Sequence, residues 1–140
     1  MSMQTGALHR PSAGDASILL RRVLWLDGLS TAAVGVLLLA AVGVFEDLLG
    51  LPVAWGVPLG VGLLGWALAV VLVVDHSDIS PRHVRAVIGG NVLSAAGLVV
   101  LAFADLVPLT GLGVAFMLLM AVVVAAYAEL QFMGLRRADR

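Results

Sequence analysis

The sequence contains no cysteine and no lysine, and its nine acidic and eight basic residues make up only 12% of its 140 residues. The lack of cysteine excludes disulfides, thiol catalysis, iron–sulfur clusters and cysteine-bound zinc. All basic residues are arginine, and we attach no functional meaning to that choice. Soluble domains carry about twice this share of charged residues. The composition therefore does not favour a soluble domain.

Hydrophobic residues make up 61% of the chain, and its mean hydropathy is +1.09. The few charged residues are clustered, which leaves long apolar runs between them. This combination predicts a membrane protein before any motif is considered. The net charge of −1 says nothing about partners, because in a membrane protein the distribution of charge among the loops matters more than its sum.

Four apolar runs are long enough to cross a bilayer as helices, which takes about 20 residues each. They cover residues 23–45, 53–74, 84–104 and 112–133. Short connections join them, so the sequence predicts an all-α, four-helix transmembrane bundle that runs up-down-up-down within one domain, residues 21–137. Residues 1–20 are predicted to be a flexible polar segment, and residues 138–140 a short tail. The first run is too long for a signal peptide, which predicts an uncleaved span.

All eight arginines lie on one side of this predicted bundle. Those nearest the spans form what we call the positive belt: Arg21, Arg22, Arg82, Arg85, Arg136 and Arg137. The two connections on the opposite side carry Glu46, Asp47 and Asp105 and no basic residue. The positive-inside rule then predicts that both termini lie in the cytoplasm.

The first and third spans align with each other at an offset of 64 residues. In this alignment Arg21 meets Arg85, Asp27 meets Asn91, and Ser30 meets Ser94. One interpretation is a parallel duplication of a two-helix hairpin. The other is that apolar helices rich in small residues resemble each other by composition alone.

Three polar side chains lie inside the apolar runs at a similar depth. Asp27, Asn91 and Glu129 are each six or seven residues from a positive-belt arginine, or about 9–10 Å along a helix. A charged group that faces lipid at this depth is costly, so we expect all three to face inward and toward one another, with Ser30 and Ser94 beside them. Such a layer would either bind a proton or cation, or simply fix the register of the helices.

Glycines recur along the second span, where Gly56, Gly60, Gly62 and Gly65 predict close helix packing. The histidines and aspartates between the second and third spans match no metal-ligand spacing. The chain also lacks a nucleophile–base pair and a nucleotide-binding motif, so we expect no enzymatic activity, no cofactor and no nucleic-acid partner.

Two stretches, "YAELQFMGLRR" and "RAVIGGNVLSAAGLVVL", resemble those of small four-span bacterial membrane proteins common in actinobacteria, and the layout is similar to the DoxX-like group. The resemblance runs from about residue 21 to residue 137. It implies a four-helix fold in the bacterial cytoplasmic membrane and no particular activity.

The sequence thus favours a non-enzymatic membrane module that binds a lipid-like ligand, serves a larger membrane complex or has a structural role. The alternative is a small proton-coupled transporter that works as a homo-oligomer and uses an intramembrane carboxylate. A polar layer that is dry and fully hydrogen-bonded would count against transport, whereas a water-filled cavity beside the carboxylates would support it.

Overall fold

The computed structural model describes residues 12–140, and within them the fold is entirely helical. The helices are α1 (Ala13–Ala40), α2 (Val42–Leu49), α3 (Val53–Asp75), α4 (Pro81–Phe103) and α5 (Gly111–Ala138). All except α2 are long and apolar enough to cross a bilayer. At 23 residues, α3 and α4 are each about 35 Å long, enough for a hydrocarbon core of about 30 Å. The protein is therefore a multi-pass integral membrane protein with four spans.

The first helix begins earlier than the sequence predicted. Ser12 and Asp15 form a reciprocal capping box, in which the Asp15 amide donates to Ser12 Oγ over 3.2 Å and the Ser12 amide donates to Asp15 Oδ2 over 3.0 Å. This cap starts α1 at Ala13 because it satisfies amide groups that a helix end leaves unpaired. Residues 13–20, which the sequence predicted to belong to a flexible segment, are therefore part of α1, and residues 1–11 lie outside the described part of the chain.

The first span also ends earlier than predicted. α1 stops at Ala40, and after Ala41 a separate short helix, α2, follows. Gly50 then takes a left-handed conformation with φ of 70°, and a Cβ on it would lie 2.2 Å from the carbonyl oxygen of Pro108. Only glycine combines that backbone angle with so close an approach. The apolar run to Phe45 therefore comprises a span and part of a second helix.

The N-terminus of α5 docks against the end of α2. Thr110 caps α5 by accepting a hydrogen bond from the Gly113 amide, and its own hydroxyl donates to the carbonyl of Leu48. Its amide donates to the carbonyl of Leu49. A Cβ on Gly113 would lie 2.0 Å from that same carbonyl oxygen, so this contact requires glycine. The end of the bundle opposite the positive belt is fixed by these contacts.

The four long helices form the predicted up-down-up-down bundle. α1 packs extensively on α3 and α5, and α4 packs on α5, whereas α3 and α4 contact each other much less. Around the bundle the helices therefore follow the order α3, α1, α5, α4. In this arrangement α1 and α4 lie diagonally opposite each other. A two-fold duplication would make the α1–α5 and α3–α4 contacts alike, which they are not; the duplication itself stays a prediction.

The close packing of α1 on α3 depends on glycines from both helices. A Cβ on Gly35 would lie 3.2 Å from the carbonyl oxygen of Gly60, and one on Gly60 would lie 2.6 Å from Leu39. A Cβ on Gly56 would lie 2.8 Å from Val42, at the start of α2. Gly62 and Gly65 have open space around them, so they do not pack closely against another helix of this chain, and packing between protomers stays a prediction for them. Gly62 is two residues beyond Gly60, a rotation of about 200° around the helix, and therefore lies on the outer face.

The positive-belt end of the bundle is held by a core cluster and one arginine. The cluster consists of Leu20, Leu24, Val70, Val74, Val84, Val87 and Leu135, from all four long helices. Arg21 donates hydrogen bonds to the carbonyls of Val74, His76 and Ser77, where α3 ends. A cation at this position satisfies the unpaired carbonyls and favours the negative end of the helix dipole. The other arginines of the belt are exposed at the same end.

Candidate functional site

A layer of three buried polar side chains crosses the interior of the bundle. Asp27 of α1, Asn91 of α4 and Gln131 of α5 are 2%, 2% and 0% exposed. Asp27 Oδ2 accepts hydrogen bonds from Asn91 Nδ2 over 2.7 Å and from Gln131 Nε2 over 2.6 Å. Asn91 Nδ2 also lies 3.1 Å from Gln131 Oε1. We call this set the polar layer, and it connects three of the four spans.

Glu129 is not part of this layer, so the expectation that it faces inward is wrong. Its side chain is exposed on the outer surface, and Gln131 occupies the interior position expected for it. The depth estimate was close, since the two residues are only about 3 Å apart along the helix axis. The difference lies in the rotation around the helix axis. Two residues correspond to about 200°, so the side chains of Glu129 and Gln131 point to nearly opposite sides of α5. The buried α5 residues Ala121, Ala128 and Leu135 are spaced by seven and mark the interior face on which Gln131 lies.

A set of hydroxyl groups extends the layer on one side. Thr31 Oγ1 lies 3.3 Å from Asp27 Oδ1, so both carboxylate oxygens have a partner. Ser30 Oγ is 3.1 Å from the Asp27 carbonyl and 3.1 Å from the Tyr127 hydroxyl. Ser94, the residue aligned with Ser30, is exposed on the outer face of α4, whereas Asn91 of the same helix is buried. The expectation that Ser94 joins the layer is therefore wrong.

Neutral groups alone surround the Asp27 carboxylate among the described residues. Its side-chain hydrogen-bond partners are two amides and one hydroxyl. On the same helix, Arg21 donates instead to carbonyls at the end of α3, and Arg22 is exposed. Every side-chain oxygen and nitrogen of the polar layer that is buried has a hydrogen-bond partner; within residues 12–140 the one buried side-chain atom without a partner is Trp66 Nε1.

That tryptophan joins α3 to α4 where the two helices approach each other. Its ring lies against Gly90, where a Cβ would come within 2.1 Å of Trp66 Cη2. The indole therefore fills the space between α3 and α4 at Gly90, the residue before Asn91. The sequence could not place Trp66, since a mid-span tryptophan fits a lipid-facing position and a packed one equally well.

A cavity of about 270 Å³ lies on the side of the polar layer away from the positive belt. Its walls are aliphatic and aromatic, and they include Val34, Leu38, Leu63, Leu98, Phe116 and Met120. The hydroxyl-bearing residues Ser30, Thr31 and Tyr127 also line it. Since Ser30 and Thr31 bond to Asp27, the polar layer forms one end of the cavity and the rest is apolar. No sequence pattern predicts this cavity, because its lining residues come from separate helices.

Asp75 ends α3, and His76 and Asp78 follow in the loop to α4; all three are exposed. His76 Nδ1 donates to the Leu72 carbonyl over 2.7 Å, which completes the last turn of α3. Within residues 12–140, no group of three histidine or acidic side chains is arranged to hold a metal ion.

Comparison with known proteins identifies no family for this chain: no family model, no curated protein and no solved structure matches it. The four-span layout implied by the resemblance to small bacterial membrane proteins is observed, and membership in such a family stays a prediction.

Proposed function

We propose that this protein is a non-enzymatic integral membrane module that binds an apolar, lipid-like ligand inside its helix bundle. The observation that carries the proposal is the cavity, which is apolar along its walls and bears hydroxyls at one end. Ligand sites commonly combine apolar walls with a few polar groups that orient the ligand, in volumes of roughly 300–1,000 Å³. At about 270 Å³, this cavity suits one short alkyl or isoprenoid chain rather than an entire phospholipid.

The hydroxyl groups of Ser30, Thr31 and Tyr127 at one end of the cavity can form a hydrogen bond with the polar head of a ligand, as donor or as acceptor. The Tyr127 hydroxyl is 3.1 Å from Ser30 Oγ and a long 3.5 Å from the carbonyl of Leu26, so its own contacts leave it partly unengaged. An alcohol or carbonyl group at the head of the ligand could form a hydrogen bond with the Tyr127 hydroxyl. The apolar tail would then extend along Val34 and Leu38 toward Phe116.

The polar layer, on this proposal, is a structural element that fixes the end of the binding site. It is buried and its hydrogen bonds are mutual, so it ties α1, α4 and α5 together without a ligand. Buried polar groups that bond across membrane helices add modest stability and define which faces meet. The cavity would thereby keep its shape when it is empty.

We further propose that the protein lies in the bacterial cytoplasmic membrane, with the positive belt and both termini on the cytoplasmic side. The support is the position of the arginines at one end of the bundle, where Arg21 bonds to the end of α3. A reporter enzyme fused after Arg140 should be active only in the cytoplasm. Activity of that fusion outside the cell would overturn this orientation.

The binding proposal is tested with two tryptophan substitutions on α4. One fills the cavity, and the other, the control, lies on the outer surface of the same helix. Leu98→Trp places an indole in the cavity, whereas Leu93→Trp changes a residue that is 75% exposed on the outer surface. Retention of radiolabelled farnesol or dodecanoic acid by the purified protein should fall strongly in Leu98→Trp. It should be unchanged in Leu93→Trp. Equal retention by both variants and the wild type would contradict the proposal.

A second function, proton-coupled transport by an oligomer, is favoured by one observation: Asp27 is a buried acid whose described partners are all neutral. Ionisable groups inside membranes commonly mark proton pathways. The pairing of both Asp27 carboxylate oxygens counts against it, as does the position of Glu129 outside the layer. We therefore place it second.

A further inference from the structure

Glu129 lies in an open groove on the outer surface of the bundle, between α4 and α5. The side chains that line this groove beside it are all apolar: Ile88, Val92, Ala95, Ala125, Ala128 and Phe132. We call this surface the Glu129 groove. No described residue forms a hydrogen bond or an ion pair with the Glu129 carboxylate, which is exposed in the isolated bundle.

The groove lies well inside the membrane-spanning part of α5. Glu129 is seven residues before Arg136, which corresponds to about 10 Å along the helix. A carboxylate facing hydrocarbon at that depth is unfavourable, and such residues normally point toward protein or water. Gln131 already completes the interior layer, so the fold of this chain does not require an acid at position 129.

The shape of the groove suits another helix. Three of its six apolar lining residues are alanines, from both α4 and α5. Small side chains let helix backbones approach closely in a membrane, where packing and hydrogen bonds drive association. The surface therefore combines a close-packing site with one unpaired negative group.

We propose that the Glu129 groove binds a transmembrane helix of another membrane protein, and that this helix carries a basic side chain at the depth of Glu129. A second copy of this chain does not supply that charge. The sequence has no lysine, and within residues 12–140 every arginine and histidine lies nearer the positive-belt end of the bundle than Glu129 does. A phospholipid amine lies in the headgroup region, about 10 Å nearer the positive belt. The complementary group must therefore come from a different helix, and this inference is independent of the ligand cavity.

Synthetic helices test the chemistry directly. The full chain is reconstituted in phosphatidylcholine vesicles with a labelled leucine–alanine helix that carries one lysine, or one methionine, about 10 Å from its end. Fluorescence energy transfer should show about threefold to tenfold tighter association of the lysine helix, the range expected for one polar contact between membrane helices. Glu129→Gln should abolish that preference, and Leu119→Gln, on an exposed position of the same helix, should retain it. Equal association of the two helices with the wild type would overturn the proposal.

Cross-linking in cells tests the natural partner. A photoreactive residue is placed at position 132, in the groove, or at position 119, outside it. We expect adducts from position 132 whose cross-linked peptide is a span containing lysine, arginine or histidine, and we expect Glu129→Gln to remove them. Adducts between two copies of this chain, adducts with lipid alone, or adducts that survive Glu129→Gln would each overturn the proposal.

Discussion

Asn91 donates a hydrogen bond to Asp27 over 2.7 Å, although the two residues are 64 positions apart and belong to helices on the diagonal of the bundle. Their helices make no extensive contact of their own, so the contact is made by the side chains across the interior. Gln131 completes it from α5. This junction joins three of the four spans, so its loss should affect both the stability of the bundle and the shape of its cavity.

Asp27→Ala should destabilise the protein by about 1–3 kcal/mol, because it leaves the buried amides of Asn91 and Gln131 without their shared acceptor. Asp27→Asn should cost less, since its side-chain oxygen can still accept. The free energy of unfolding in mixed micelles measures both. Leu29→Ala, on the exposed face of the same helix, is the control, and a loss no larger than the control's would show that the junction contributes nothing.

Gln131→Leu and Glu129→Leu should have different effects although the residues are two positions apart. The first removes the partner of both Asp27 and Asn91 and should cost about 1–2 kcal/mol. The second removes an exposed carboxylate and should leave the unfolding free energy of the isolated protein unchanged or raise it. If Glu129→Leu were the more destabilising change in detergent, the side chain would have to face the interior.

Gly113→Ala should destabilise the end of the bundle where α5 begins, by about 2 kcal/mol or more. The new methyl group would lie 2.0 Å from the Leu49 carbonyl oxygen, which is backbone and cannot move aside alone. Gly111→Ala, two residues earlier in the same helix, meets nothing within 4 Å and should be neutral. Hydrogen exchange of residues 48–50 and 110–114 should report the difference. Similar exchange in both variants would contradict the observed docking of α2 on α5.

Proton flux into liposomes should be the same with and without the wild-type protein. The prediction follows from the pairing of both Asp27 carboxylate oxygens by Asn91, Gln131 and Thr31. Glu129→Gln should also leave the rate unchanged. A flux that the wild type supports and Asp27→Asn removes would make the transporter the better assignment.

The fold could be predicted from the sequence because four apolar runs of the right length and short connections permit few arrangements. Hydropathy alone could not divide the first run at Ala41, since the apolar residues continue from α1 into α2. For the site, depth was predictable by counting from the arginines, and Asp27 and Asn91 were placed correctly at one level. Rotation was not, because each helix is apolar on every side and so has no pattern that separates Glu129 from Gln131. Only the packing of small residues such as Gly134 against Leu20 determines which face of α5 turns inward.

The connectivity of the polar layer also sets an order for insertion into the membrane. Asp27 enters in the first span, but its amide partners belong to the third and fourth spans and are synthesised later. Until α4 and α5 arrive, the carboxylate lacks the groups that make its burial tolerable. A chain that is released early therefore displays an unpaired acid in its first span. The junction between Asp27, Asn91 and Gln131 can therefore form only after the last span has been synthesised.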